Sequence, residues 1–255
     1  MHPVLLSFGS VTLYSYGLMV VLGFLAGILA TLYYAKQENI PQEYILDGVI
    51  YVILASVIGA RLFYVIGTWE DYRSNPLEIF MLQKGGLVYL GGFLAAAVMA
   101  FLYAKKKGIS WLKFFDVIAP GAALGYAVGR IGCFLNGCCF GLPTKLPWGI
   151  HFPLGALAHS YYPNEALHPT QLYAVFAMLG AFFVLVYLRR FKTYDGFLFY
   201  WWVLFYSLYR FVNEFFRFSP IHWLGLTPAQ WMVLIAAALA GRELWIHGKK
   251  KPENS

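Results

Sequence analysis

The stretch that decides the fold class is ILDGVIYVILASVIGARLFYVIG, residues 45–67. It is longer than the ~20 mostly apolar residues that an α-helix needs to cross a bilayer, and its second half contains Arg61. Comparable apolar stretches lie at residues 13–35, 86–104, 114–133, 169–188, 196–216 and 228–246. The sequence therefore predicts an all-α integral membrane protein with seven transmembrane helices. We expect residues 1–255 to form a single polytopic domain, with one longer loop, residues 134–168, between the fourth and fifth helices.

The composition of the chain supports a membrane protein and excludes two other classes. Of its 255 residues, 60% are hydrophobic and only 12% are charged, whereas a soluble domain carries about 25% charged residues. The 19% aromatic content excludes intrinsic disorder, because disordered segments are poor in aromatic residues and rich in charge. We assign the net charge of +7 to membrane topology, and we expect no nucleic-acid partner.

The distribution of basic residues predicts the orientation. With the N-terminus outside, twelve of the 19 Lys and Arg residues fall on cytoplasmic segments, four fall on outer segments and three lie within spans. Cytoplasmic loops carry the excess of Lys and Arg, so we predict a periplasmic N-terminus and a basic cytoplasmic tail at residues 247–255. No basic residue precedes the first span and no small-residue cleavage site follows it, so we do not interpret it as a cleavable signal peptide.

Three arginines within the predicted spans indicate a functional site. Each of Arg61, Arg130 and Arg210 costs at least ~2.5–3.5 kcal/mol at the bilayer centre, and the predicted topology places all three toward the outer leaflet. Glu214 and Arg217 share a helix face with Arg210. Converging guanidinium groups bind a phosphate through paired hydrogen bonds. The alternative is a structural Arg210–Glu214 ion pair, with Arg61 extending to the outer interface.

The densest motif is GRIGCFLNGCCFG, residues 129–141, which we call the signature segment. Its glycines and Asn136 predict a helix end where backbone approaches a ligand. It holds all three cysteines of the chain, Cys133, Cys138 and Cys139. This spacing lacks the second half of a zinc motif, so no metal is predicted. A thiolate near Arg130 would be nucleophilic; alternatively, the three cysteines are small residues that pack at the helix end.

In these motifs, in their order and in their spacing, the chain resembles the prolipoprotein diacylglyceryl transferases of bacterial membranes from end to end. The segments that carry the resemblance are residues 16–19, 59–62, 85–92, 129–141, 168–173, 206–217 and Gln230. The resemblance implies transfer of the diacylglyceryl group of phosphatidylglycerol to the lipobox cysteine thiol of a prolipoprotein signal peptide. A thioether would form and glycerol phosphate would leave. It also implies a multi-pass protein of the bacterial cytoplasmic (inner) membrane that contacts membrane lipids, needs no cofactor and has its active site toward the outer leaflet.

The resemblance and the charged and thiol residues noted above together predict which residues form the site. Those expected to act in catalysis are Arg130, Arg210, Glu214, Tyr206, His168, Cys138 and Cys139. Those expected to bind phosphatidylglycerol are Tyr16, Arg61, Arg130, Cys133, Asn136, Gly141 and Arg210. Arg130 and Arg210 would hold the phosphate, and Glu214 would orient Arg210.

The chain departs from the family pattern at four positions. Leu90 occupies the place of a histidine that better-known members carry, and Ala174 replaces a frequent glutamate. Cys133 and Cys138 replace an asparagine and a glutamate of the signature. Either the chain is a transferase in which Cys138, Cys139 or His168 serves as the base, or it is a paralogue with another acceptor or donor. A transporter or flippase for an anionic lipid is the non-enzymatic alternative, although no internal repeat supports it.

Overall fold

The computed structural model describes residues 4–8, 11–73, 75–81, 85–217, 219 and 222–249. Two short 3-10 turns, Pro76–Phe80 and Arg189–Phe191, accompany the helices and strands. In chain order, the helices and strands are β1 Val4–Phe8, β2 Val11–Tyr14, α1 Ser15–Gln37, α2 Gln42–Gly67, α3 Trp69–Tyr72, α4 Tyr89–Lys106, α5 Trp111–Asn136, β3 Ile150–His151, α6 Leu157–Tyr161, β4 Ala166–Leu167, α7 Thr170–Leu188, α8 Phe197–Glu214 and α9 Pro228–Lys249.

Five helices are long and apolar enough to cross a membrane: α1, α2, α5, α7 extended to Phe191, and α9. Each of the seven predicted spans contains a helix, but α4 and α8 have only 18 residues and are not among the five. The last turn of α4 is basic, with two lysines, and α8 contains Arg210 and Glu214. By length and composition, these five helices of the described residues are candidate membrane spans, and seven spans with an outer N-terminus stay a prediction. Residues 250–255 of the predicted tail, and Lys84 of an outer segment, lie outside the described residues.

Small strands add to the predicted all-α architecture. β1 and β2 pair antiparallel, with Val4 opposite Tyr14, so the first helix begins at Ser15 and not at the predicted residue 13. The predicted outer loop is also folded, because β3 pairs with β4 and the residues between these strands include helix α6. Phe152, Ala158 and Leu167 form part of its small buried core. The loop therefore has its own secondary structure and a small hydrophobic core.

The chain divides into two compact units: the described residues up to Thr31 together with those from Phe115 onward, and Leu32–Phe114. In the first unit, α1 and α5 cross at four glycines. A Cβ at Gly125 would lie 2.7 Å from the carbonyl oxygen of Gly23, and one at Gly27 would lie 3.0 Å from that of Gly121. Small residues allow helix backbones to approach closely where no hydrophobic effect drives association. This crossing fixes α5, which carries the signature segment.

We predict that Gly125→Leu destabilises the protein by about 3 kcal/mol or more, because the added side chain meets backbone that cannot move aside. The thermal unfolding midpoint of the detergent-solubilised protein measures this loss. Gly241→Ala in α9 is the matched control, since nothing lies within 4 Å of a Cβ at that position. Equal midpoints for the two variants would contradict the close crossing.

Asp116 fixes the start of α8. Its two carboxylate oxygens accept hydrogen bonds of 2.8 Å from the backbone N–H groups of Gly196 and Phe199, and Lys192 pairs with it at 3.3 Å. From the sequence we expect Asp116 to interact with the dipole of its own helix. The structure corrects this: the carboxylate caps the N-terminus of another helix, where free N–H groups and the helix dipole favour a negative charge.

The second unit is built on the crossing of α2 and α4. A Cβ at Gly59 would lie 2.6 Å from the carbonyl oxygen of Gly91, and a Cβ at Gly92 would lie 3.0 Å from that of Ser56. The backbone N–H of Val88 donates to the carbonyl of Ala60 at 3.0 Å. The glycines of residues 85–92, noted in the sequence, therefore include two that permit close helix packing.

Candidate functional site

The signature segment turns back on itself at the end of α5. Gly137, with φ of +70°, follows the last helical residue. The N–H of Gly137 donates to the carbonyl of Phe134, and the N–H of Cys138 donates to that of Cys133, both at 3.1 Å. This pair of bonds is a Schellman motif, which requires a left-handed residue such as glycine just after the helix. The turn places Cys138 beside Cys133, although four residues separate them in the sequence.

The first turn of α7 holds the rest of the segment. The side chain of Gln171 donates to the carbonyl of Cys138 at 2.7 Å, and Thr170 donates to that of Cys139 at 2.8 Å. Both α7 side chains are buried. Cys139 has φ of +59°, a conformation that costs a residue with a side chain about 1–3 kcal/mol. Two buried hydrogen bonds therefore maintain a strained backbone at the cysteine pair.

Gly141 closes the segment against the neighbouring elements. Its N–H donates to the carbonyl of His168 at 3.0 Å, and Leu142 donates to that of Phe216 at 2.8 Å. A Cβ at Gly141 would lie 2.5 Å from the Phe216 oxygen and 2.6 Å from the Cβ of His168. The position therefore requires glycine, and the segment is locked to the start of α7 and to the end of α8.

The three cysteines form a compact thiol group. Their sulfur atoms all lie within 4.8 Å of one another, and all three are free and half-buried. Hydrogen bonds from Cys133 and Cys138, with the charges of Arg130 and Arg217, hold the pKa of Cys139 below its ordinary value despite its burial. The amide of Asn136 also bonds to the Cys138 thiol. The geometry thus brings together every cysteine of the chain beside two cations.

Arg130 joins this group to an aromatic cluster. Its Nη1 lies 4.0 Å from the sulfur of Cys133, and its Nη2 donates to the hydroxyl of Tyr126 at 2.6 Å. The ring of Tyr126 packs edge-on against those of Tyr206 and Tyr209, with centroids 5.7 and 6.4 Å away. Three tyrosine rings from α5 and α8, which we call the tyrosine cluster, therefore lie beside the guanidinium of Arg130.

Arg210 also interacts with the tyrosine cluster. The hydroxyl of Tyr209 interacts electrostatically with both Arg130 and Arg210. Arg210 pairs with Glu214 at 2.8 Å, and the two side chains are 17% and 7% exposed. Its Nη1 is buried and has no hydrogen-bond partner among the described residues. A buried, unpaired donor is costly, so this nitrogen is available for an acceptor that is not part of the chain.

Glu214 is held in turn by the start of α9. Thr227 donates to its carboxylate at 3.3 Å. The N–H of Thr227 donates to the side chain of Gln230 at 2.9 Å, and the N–H of Gln230 donates to the hydroxyl of Thr227 at 3.2 Å. This reciprocal pair is a capping box, and the side chain of Gln230 also donates to the carbonyl of Phe211 at 3.4 Å. The orientation of Arg210 therefore depends on the junction between α8 and α9.

An open cleft of about 480 Å³ lies between α7 and α8. Small and aliphatic side chains line most of it, including Ala177, Gly180 and Val184. Tyr173 and Asn213 contribute polar atoms to its lining. A cleft of this kind fits an elongated apolar ligand with a polar end.

His168 lies at the end of a short hydrogen-bonded chain. The indole of Trp148 donates to the hydroxyl of Tyr173 at 2.8 Å, and that hydroxyl lies 3.1 Å from Nδ1 of His168. Because the indole only donates, the hydroxyl proton of Tyr173 is free to point toward Nδ1. Burial lowers the pKa of His168, in agreement with this hydrogen-bond pattern.

The remaining predicted residues fall in two places. Tyr16 lies in the same unit as the thiol group and interacts electrostatically with it and with Arg130. Arg61 lies in the second unit, where it donates to the carbonyls of Glu78, Ile79, Gly85 and Gly86 at 2.6 to 3.1 Å. Leu90 is in α4 of the second unit and is 42% exposed. Ala174 is buried in the first unit, in a core with Ala127, Met178 and Tyr209.

Several residues of the site were missed from the sequence. Arg217 was noticed only as part of a charged helix face, and the buried Thr170 and Gln171 only as letters of a motif. Pairs of a polar residue and a glutamine at a helix start, as in TPAQ at residues 227–230, are a readable capping signal. No local pattern reveals the packing of Tyr126 against Tyr209, because the two rings come from different helices, α5 and α8.

Known proteins that are similar to this chain carry one common description. A sequence profile of the prolipoprotein diacylglyceryl transferase family matches residues 3–246. The phosphatidylglycerol–prolipoprotein diacylglyceryl transferase of Clostridium tetani is 38% identical over 86% of this chain and 87% of its own length. Those of Finegoldia magna and Nitrosomonas europaea are 34% and 37% identical, over 92% and 93% of this chain and 91% and 87% of their own lengths. The chain therefore belongs to the prolipoprotein diacylglyceryl transferase family.

Proposed function

We propose that this chain transfers the diacylglyceryl group of phosphatidylglycerol to the lipobox cysteine of prolipoproteins, the first step of lipoprotein maturation. The observation that carries the proposal is the convergence of Arg130 and Arg210 on one tyrosine cluster, with Nη1 of Arg210 left unpaired. Arginine is the side chain best matched to a phosphate. The two guanidinium groups hold the phosphate of the donor lipid, and Glu214 positions Arg210.

The chemistry of the transfer needs charge stabilisation at the leaving group. When the bond between the glyceryl carbon and the phosphate oxygen breaks, negative charge builds on glycerol phosphate. Arg130 and Arg210 neutralise that charge in a buried setting, where electrostatic stabilisation is strongest. The hydroxyls of Tyr206 and Tyr16 bind the glycerol head group in this proposal, and the acceptor thiol attacks the glyceryl carbon as a thiolate.

The membrane arrangement follows from the same proposal. All seven helices span the bacterial cytoplasmic membrane, including the shorter α4 and α8, with the N-terminus outside. The α7–α8 cleft, with Tyr173 and Asn213 among its lining residues, holds acyl chains of the donor. The site opens to the outer leaflet, where membrane lipids and the signal peptide of a secreted prolipoprotein meet.

Arg61 takes a different role from the one that the sequence suggests. Four of its five N–H donors are used by backbone carbonyls, and the rings of Tyr64 and Tyr72 lie 5.8 and 5.3 Å from the guanidinium carbon. We infer that Arg61 fixes the connection between α3 and α4 and does not bind the phosphate. Arg130 and Arg210 carry that task.

We predict an acid limit to the rate that belongs to His168. Burial keeps the pKa of His168 below its ordinary value of 6.5, so the neutral imidazole persists at neutral pH and is lost only as the pH falls below that value. The pH profile of kcat/KM therefore stays flat near pH 7 and falls below about 6.5. His168→Asn lowers the rate and removes this acid limb. An unchanged limb in the variant would show that another group titrates.

The experiment that tests the proposed function measures glycerol phosphate. Purified protein in detergent is given phosphatidylglycerol and a lipobox peptide, and release of glycerol phosphate is followed by an enzyme-coupled assay. We expect release that requires the peptide thiol, so that a peptide with serine in place of the cysteine gives none. A transporter or flippase releases no glycerol phosphate with either peptide, and that result would replace the proposal.

A further inference from the structure

The thiol group of Cys133, Cys138 and Cys139 has the geometry of a metal site. Zinc–sulfur bonds of ~2.3 Å in a tetrahedron place the sulfur atoms ~3.8 Å apart. The three sulfurs already lie within 4.8 Å of one another, so side-chain movements of about 1 Å or less suffice to bind one ion. The spacing rule that argues against a metal assumes two separate ligand pairs. It fails here because the Schellman turn at Gly137 brings Cys138 beside Cys133.

We propose that these three cysteines bind one Zn²⁺ as thiolates and leave its fourth position open for the thiol of the acceptor peptide. The inference rests on the proposed function. Among the described residues no fourth His, Cys, Asp or Glu completes the group. Three protein ligands with an open position are typical of catalytic zinc, whereas structural zinc has four. Thiolates select soft metals, and Zn²⁺ accepts a fourth ligand without redox chemistry.

The surroundings compensate the charge of such a site. Three thiolates and one Zn²⁺ leave a net charge of −1. Two arginines lie near this charge. Nη1 of Arg130 is 4.0 Å from the sulfur of Cys133, and Arg217 interacts electrostatically with Cys139. With both arginines counted, the net charge of the site is positive. The anionic donor lipid is therefore still attracted, and its phosphate remains with the arginines while the acceptor sulfur binds the ion.

The metal supplies what the acceptor thiol needs. Binding to Zn²⁺ releases the thiol proton and keeps the sulfur as a thiolate. Its lone pair then forms the carbon–sulfur bond to the glyceryl carbon as the carbon–oxygen bond to phosphate breaks. The electron pair of that bond leaves with glycerol phosphate, and the released proton is taken up by this phosphate or by water. The thioether product is a weaker ligand than the thiolate, so it dissociates from the metal.

Metal content of the purified protein is the first test. We expect about one zinc per chain by elemental mass spectrometry, and a loss of at least tenfold in the triple variant Cys133→Ser, Cys138→Ser, Cys139→Ser. His151→Gln is the matched control, since this outer-loop imidazole is a potential ligand outside the thiol group, and it keeps the metal. If the triple variant fails to fold, removal of the metal from wild type with a chelator and return with zinc replaces it. Zinc content equal in wild type and a folded triple variant would overturn the site.

Cobalt substitution tests the open position independently of turnover. Co²⁺ bound by thiolates gives a sulfur-to-metal charge-transfer band, which we expect to intensify when a lipobox peptide with cysteine is added. The same peptide with serine leaves the spectrum unchanged. Identical spectra with the two peptides would overturn the acceptor role. Glycerol phosphate release without bound metal would leave the proposed function standing and refute this inference alone, whereas metal and peptide binding without release would refute the proposed function.

Discussion

Replacing Arg130 with alanine is expected to lower phosphatidylglycerol-dependent lipidation of a lipobox peptide by at least ~10²–10³-fold, the usual cost of one transition-state donor. Among the residues that the structure describes, Nη2 of Arg130 donates to the hydroxyl of Tyr126 and its Nη1 contacts the sulfur of Cys133. Neither contact is strong enough to explain a buried arginine in a membrane helix, so we assign its remaining capacity to the phosphate. Initial rates with wild type and variant at saturating lipid measure the effect.

Two further variants separate the phosphate role from charge and from folding. Arg130→Lys keeps the positive charge but loses the planar guanidinium that binds a phosphate through two hydrogen bonds, so we expect a rate between those of wild type and Arg130→Ala. Arg242→Ala removes an exposed arginine, 68% accessible and paired with Glu243 at 3.6 Å, and keeps the wild-type rate. Normal lipidation by folded Arg130→Ala would remove Arg130 from the phosphate site.

Replacing Arg210 with methionine is expected to destabilise the protein by about 3–5 kcal/mol and to abolish lipidation. The substitution leaves Glu214 buried without its cation, and an uncompensated buried charge carries that cost. Within the described part of the chain, its carboxylate also accepts a hydrogen bond from Thr227 at 3.3 Å. Unfolding in detergent measures the stability, and the lipidation assay measures the activity.

The double variant Arg210→Met, Glu214→Gln distinguishes a structural ion pair from a phosphate ligand. Removing the carboxylate charge restores most of the lost stability, because no buried charge remains. If Arg210 binds the phosphate, the stable double variant still fails to transfer the diacylglyceryl group. Recovery of lipidation together with stability would show that the pair is structural, which is the alternative that the sequence leaves open.

The spans could be predicted from the sequence because each depends on local composition. Apolar length alone located helices at residues 45–67 and 228–246, with ends that differ from the structure by only a few residues. The strand that contains Leu13 was missed because its apolar side chains continue the first span without a break. The close glycine crossing of α1 and α5 was missed as well, because spacing shows that small residues share a face but not which helix they meet.

The sequence singles out the charged residues of the candidate site but not the contacts that hold them. Arg130, Arg210 and Glu214 are conspicuous because charge is rare in this chain and expensive in a membrane. Two of these contacts join separate helices: Thr227 at the start of α9 bonds to Glu214, and Gln171 of α7 bonds to the signature segment. Such contacts cannot be predicted from local sequence. The compact thiol group depends on one left-handed glycine, Gly137, because its turn brings Cys138 next to Cys133 although four residues separate them in the sequence.

The mass of the acceptor peptide is the most direct test of the proposed function. Wild-type protein is incubated with a lipobox peptide and with either phosphatidylglycerol or phosphatidylethanolamine of the same acyl composition. We predict that only phosphatidylglycerol adds the mass of one diacylglyceryl group and that the serine peptide gains nothing. Mild base then removes the two ester-linked acyl chains but leaves the glyceryl group on the cysteine, because a thioether bond resists base. An unmodified cysteine peptide with phosphatidylglycerol, beside folded protein, would contradict the assignment of this chain as the transferase.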